Sequence, residues 1–99
     1  MKSQEYHDML YKLRGRMTLR AIDNRFYCAV NPKNGAEIVD VQMKCWMSQT
    51  EYGHTELVSD ELLINADIER LADHITEKFL EKIKYIQQRE RNNSLSVYY

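Results

Sequence analysis

The side chains in this sequence that could move protons or attack a substrate are few: His7 beside Asp8, His54 after Gly53, His74 after Asp73, and the thiols of Cys28 and Cys45. Nucleophilic chemistry needs a base within hydrogen-bond reach of the nucleophile and a group that stabilises developing charge. Cys45, His54 and Asp60 supply the residue types, but nothing in their spacing requires them to converge. No two His or Cys residues stand two, three or four positions apart, the steps that put two ligands on one side of a turn or helix, so no metal site is expected. Gly15, Gly35 and Gly53 are isolated, which leaves no glycine-rich cradle for phosphate. No pattern asks for a cofactor, and the expectation is a protein that is not an enzyme.

Binding chemistry has better material. Arg14, Arg16, Arg20 and Arg25 surround the first expected turn and strand, with Tyr11, Phe26 and Tyr27 nearby. Arginine beside exposed aromatic rings is suited to phosphate contact and base stacking. The formal net charge of −1 gives no global attraction to nucleic acid. Its distribution is uneven, however: the first third is basic, while the stretch from Glu51 to Glu81 is dominated by acids.

These residues act only where secondary structure holds them. In the C-terminal third, Ile64, Ile68, Leu71, Ala72, Ile75, Phe79, Ile83 and Ile86 recur at steps of three and four, the repeat of an amphipathic helix. With Asn65 as its cap the helix spans about Asn65 to Arg91, roughly 40 Å at ~1.5 Å per residue. Asp67 and Glu69 at its start, and Lys82, Lys84, Arg89 and Arg91 at its end, complement the helix dipole.

Nearer the N-terminus, Ser3 caps a short first helix over about Gln4 to Arg14, ended by Gly15. A period of two from Met17 to Ile22 predicts a strand, Asp23-Asn24 a turn, and Arg25 to Asn31 a second strand. Asn31-Pro32-Lys33-Asn34-Gly35 predicts a hairpin reversal. On the returning strand Val39, Val41, Met43, Cys45 and Met47 share a dry face, and Asp40, Gln42 and Lys44 a wet one; Trp46 falls on the wet side. Thr55 to Val58 reads either as a fourth, edge strand or as an extended connector.

The elements compose an α+β fold: a short N-terminal helix, a three-stranded antiparallel meander with room for a fourth strand, and a long C-terminal amphipathic helix packed on the sheet. The 99 residues suit one domain over residues 1–92, with residues 93–99 a tail that is disordered or docked on a partner. The longest apolar runs fall far short of the about 20 residues a membrane span needs, and the N-terminus lacks the pattern of a secretory leader. A cytoplasmic location is expected. Cys28 and Cys45 are expected to be free, with Cys28 opposite Ile38 and Val39 and so out of reach of Cys45.

What remains is an apolar surplus. Phe79, Ile83, Tyr85 and Ile86 are expected to bury it by self-association into a homodimer, with Trp46, Tyr98 and Tyr99 as contacts for a protein partner. The function expected is a small interaction module acting by surface occupation: an adaptor or an inhibitor of a larger complex, of the phage or plasmid accessory-modulator kind. The alternative is nucleic-acid binding through Arg14, Arg16, Arg20 and Arg25.

Overall fold

In a computed structural model of the chain, which describes residues 2–33, 35–47 and 50–97, the elements run α1 (Gln4–Asn24), β1 (Tyr27–Lys33), β2 (Ile38–Met47), β3 (Thr50–Ser59), α2 (Asp60–Asn65) and α3 (Ile68–Val97). The strands form one antiparallel sheet in the order β1-β2-β3. The α+β class, the N-terminal helix, the three-stranded sheet and the long C-terminal helix are as the sequence implies, but the elements are assigned differently.

α1 starts where Ser3 caps it, the Ser3 hydroxyl accepting the Tyr6 N–H at 3.2 Å. It does not stop at Gly15. Tyr6, Leu10, Leu13, Met17 and Ala21 form one buried stripe at helical spacing, and this overrides the apparent alternation that predicted a strand at Met17–Ile22. Leu19 and Ile22, which a strand would have shared between its faces, lie on the outer surface of the helix, 55% and 69% exposed. Gly15 is also on that surface, so it costs only about 1 kcal/mol of helix propensity, less than burying Met17 returns. The helix closes at Arg25, whose φ of 58° is left-handed and whose N–H reaches the Ala21 and Ile22 carbonyls.

The missing strand is replaced by β3, which runs ten residues where the sequence left an edge strand or a connector open. β2 lies between its neighbours with Val39, Val41 and Met43 fully buried and Cys45 nearly so. The reversal between β1 and β2 is short, built around Gly35 at φ 78°, and pairs Lys33 with Ile38. That register corrects the expected position of the thiols: Cys28 lies opposite Met43, not Ile38 and Val39, and is a diagonal neighbour of Cys45 on the dry face. Both cysteines are free. Burial pushes the Cys28 thiol up to about 11 and raises that of Cys45 as well.

Ile64 belongs to α2, a separate turn of helix capped by Ser59, whose hydroxyl accepts the Leu62 N–H at 3.1 Å. Asn65 therefore ends α2 rather than capping the long helix. Asp67 takes that role, its carboxylate accepting the Arg70 N–H at 3.4 Å. α3 then continues for 30 residues, about 45 Å at ~1.5 Å per residue. It is helical to Val97, past the start of the expected tail; Tyr98 and Tyr99 lie outside the described residues.

α1 and α3 lie side by side on the dry face. Arg16 pairs with Glu69 and Arg20 with Asp73, and because both numbers advance together the two helices run parallel. Phe26 and Phe79 meet edge-on beneath them, ring centres 5.1 Å apart. No helix among the described residues is long and apolar enough to cross a membrane. Replacing Gly15 with Ala should stabilise the fold by about 0.5–1 kcal/mol, because a Cβ there meets nothing within 4 Å; urea unfolding of the variant should show a higher midpoint at unchanged slope.

Candidate interaction surface

α3 crosses from an apolar hold to a polar one along its length. Ile68, Ala72, Ile75 and Phe79 are buried against the sheet and α1, whereas Ile83 is only half-buried at the rim of the core. From Lys78 onward the helix also makes polar contacts with β3. Lys78 Nζ donates to Glu56 Oε1 at 2.9 Å, Lys82 Nζ stands 3.3 Å from His54 Nδ1 and 3.5 Å from the Gly53 carbonyl, and the Tyr52 hydroxyl donates to Glu90. Within β3, His54 Nε2 and Glu56 Oε2 are 3.0 Å apart. Since β3 numbers fall as α3 numbers rise, the helix runs antiparallel to the strand it covers.

The Lys78 hydrogen bond holds the Glu56 carboxyl below its ordinary value, against the opposite pull of burial and with help from His54. Hydrogen bonding to Glu90 raises the Tyr52 phenol. A histidine, a carboxylate and two lysines could in principle relay protons or hold an anion. Here they answer one another, so the cluster serves first as the seam between helix and strand.

The residues expected to self-associate are not equivalent. Phe79 is 1% exposed and locked in the core, so it offers nothing to a partner; the sequence stripe could not distinguish its face from its depth. Ile83 and Ile86 are half-buried, and Tyr85 is 65% exposed. Trp46 stands 61% exposed on the uncovered face of the sheet, beside Tyr27. These two, with Ile22 and Arg25, line a shallow cleft at the end of α1. A strand over Met17–Ile22 hides Ile22 as a contact residue; the helical stripe through Leu13, Met17 and Ala21, carried past Gly15, places it outward.

The arginines are largely engaged inside the molecule. Arg20 reaches Glu69 and Asp73 at 2.8 Å, Arg16 also pairs with Glu69, and Arg14 Nε donates to the Val30 carbonyl at 2.8 Å. Arg20 and then Arg16 hold the Glu69 carboxyl below its usual value through these hydrogen bonds. The basic first third and the acidic segment thus meet face to face. Arg25 alone of the four stands beside the exposed aromatics.

The catalytic set drawn from sequence does not assemble. Cys45 pairs with Tyr52 and His54 with Met43 on the dry face, while Asp60 lies past the far end of β3, bonded to Lys2. His7 and His74 are exposed on α1 and α3. Among the described residues no three His, Cys, Asp or Glu side chains converge as a metal cage. The chain matches no family model, no curated protein and no solved structure.

Glu56 makes the seam sensitive to acid. A carboxyl whose folded value is depressed stabilises the fold above its unfolded value, near 4.5, and that contribution is lost as pH falls through the folded value. Glu56→Gln should therefore flatten the loss of stability below about pH 4.5, read as urea midpoints across that range; parallel curves for the two proteins would refute the linkage.

Proposed function

We propose that this chain is a small non-enzymatic interaction module that acts by occupying a protein surface, as a homodimer in a reducing, cytoplasmic compartment. The observation that carries the reading is the overrun of α3. The helix extends about 45 Å at ~1.5 Å per residue, and its apolar hold on the sheet weakens past Phe79, leaving Ile83 and Ile86 half-buried and Tyr85 exposed. The radius of gyration is 16.1 Å and the longest extent 60 Å, against about 13 Å expected for a compact chain of ~100 residues. A second copy is the simplest cover for a surface of this kind. Trp46 and Tyr27, on the open sheet face away from α3, supply aromatic area for a different protein, in the manner of an adaptor or inhibitor.

Nucleic-acid binding draws less support, because Arg14, Arg16 and Arg20 already have partners and only Arg25 remains beside the aromatic pair. Light scattering tests the leading reading. The full chain should have the molar mass of a dimer, and Tyr85→Glu, at an exposed site that leaves the core intact, should weaken association about tenfold or more. A full chain that is monomeric across the micromolar range would end the homodimer reading.

A further inference from the structure

The two edges of the sheet are finished differently. On β1, Arg14 donates to the Val30 carbonyl, which shows that Val30 turns its backbone groups away from β2. Even-numbered β1 residues then face the free edge. Pro32 is one of them, and it has no N–H to leave unpaired there; Lys33 follows. A helix-borne arginine, a proline and a lysine are the usual means of closing an edge against further pairing.

β3 has none of these in its sequence Thr50-Glu51-Tyr52-Gly53-His54-Thr55-Glu56-Leu57-Val58-Ser59. Continuing the same alternation through Val41, which pairs with both Val30 and Glu56, the odd-numbered β3 residues direct N–H and C=O to the free edge. The Gly53 carbonyl confirms the parity, since it is turned out toward Lys82. Lys82 is the guard of this edge among the described residues, and at 3.5 Å its bond is at the limit of hydrogen-bond length.

We infer that the β3 edge pairs antiparallel with the β3 edge of a second copy, joining two three-stranded sheets into one across a two-fold axis at Thr55. This rests on the self-association proposed above and names its interface. A two-fold axis between antiparallel strands must pass through a residue facing itself. Centring it on His54 would set histidine against histidine, and centring it on Glu56 would set carboxylate against carboxylate. Thr55 as the centre avoids both. It places His54 opposite the second copy's Glu56 and Tyr52 opposite the second copy's Val58 on the dry face, and it lays Leu57, exposed in the single chain, over the second copy's Gly53. Opposite charge, aromatic with β-branched, and threonine with threonine are favourable cross-strand pairs. In the same register every outward-facing residue from Glu51 to Ser59 meets another outward-facing residue, so each such pair exchanges two N–H···O=C bonds. Lys82 gives up the Gly53 carbonyl to the second copy's Leu57 N–H and keeps His54.

The helices follow. α3 runs antiparallel to β3 above it, so the axis sets the two α3 helices side by side in opposite directions. Lys78, Lys82, Tyr85 and Arg89 lie on the flank of α3 turned to the β3 edge, which brings the exposed Tyr85 to the second copy's Leu71 and His74. The exposed Tyr85 and the open edge are thereby covered in one interface.

Charge exchange at the self-facing residue tests the axis. Thr55 is exposed on the uncovered sheet face, so Thr55→Lys and Thr55→Glu should both fold, as circular dichroism can verify. Each alone puts like charges opposite one another and should weaken the dimer about tenfold; an equimolar mixture of the two should restore association, as sedimentation equilibrium would show. Wild-type dimers with both variants unaffected would overturn the edge pairing while leaving self-association through α3 standing. Weakened variants that fail to recombine would overturn the Thr55 axis, and a monomeric wild type would overturn both proposals. Formation instead of a complex with an extended peptide at β3, and no self-association, would also overturn it.

Discussion

β2 is hydrogen-bonded on both sides, and its alternation is the constraint from which the other elements take their positions. Val39, Val41, Met43 and Cys45 fill the dry face, and a slip of one residue against either neighbour would turn all four to solvent. One apolar face on a three-stranded sheet needs a full layer above it, which a single helix about 10 Å wide cannot supply. Two helices are required, and the stripes of α1 and α3 meet that requirement. The long α1 is thus a consequence of the sheet: had it ended at Gly15, Met17 and Ala21 would leave the β1 side of the core uncovered.

Charge then marks the register in which the two helices lie. Arg16 and Arg20 on α1 answer Glu69 and Asp73 on α3. Exposed ion pairs of this kind contribute little to stability singly, about 0–1 kcal/mol, and an antiparallel pair could match the same charges in reverse order, so they mark the register of the parallel pair rather than choose its direction. The same pairs remove most of the basic surface that the linear sequence seemed to offer a nucleic acid. A cluster of like charge in sequence is therefore weak evidence for a binding face until the opposing element is known.

The parts of this structure legible in the sequence are those encoded by one strong local period. β2 is legible because its dry and wet residues alternate without interruption over most of its length, and α3 because its stripe from Ile68 to Ile86 persists for about five turns at ~3.6 residues per turn. The α1 boundary was not, since Met17-Thr18-Leu19-Arg20-Ala21-Ile22 satisfies a period of two while Met17 and Ala21 also continue a helical stripe, and only the presence of a sheet to cover decides between them. β3 carries polar residues on its covered face at Tyr52, His54 and Glu56, because the helix above it is itself polar there; this hides its strand period. The candidate surface was half visible. Tyr85 and Trp46 stand out in sequence, but the commitment of Phe79 to the core and the openness of the β3 edge are properties of tertiary packing and pairing order.

The change of character along α3 is what makes its outer half a surface. Up to Phe79 the helix is held by burial, at roughly 25 cal/mol per Å² of apolar area. Past that point Ile83 still packs at the rim of the core, and the polar ties are the Lys82 and Glu90 contacts with β3, which are partly solvated and correspondingly weak. The segment from Ile83 to Val97 continues a helix already nucleated over Ile68 to Phe79, so it adds residues without a second nucleation cost. The polar seam also has a directional consequence. Because Lys78 and Lys82 are anchored over the outermost strand, α3 is carried toward the sheet edge rather than over its centre. The flank that carries Lys78 and Lys82 and the backbone groups that β3 leaves unpaired by β2 then lie on the same side of the molecule.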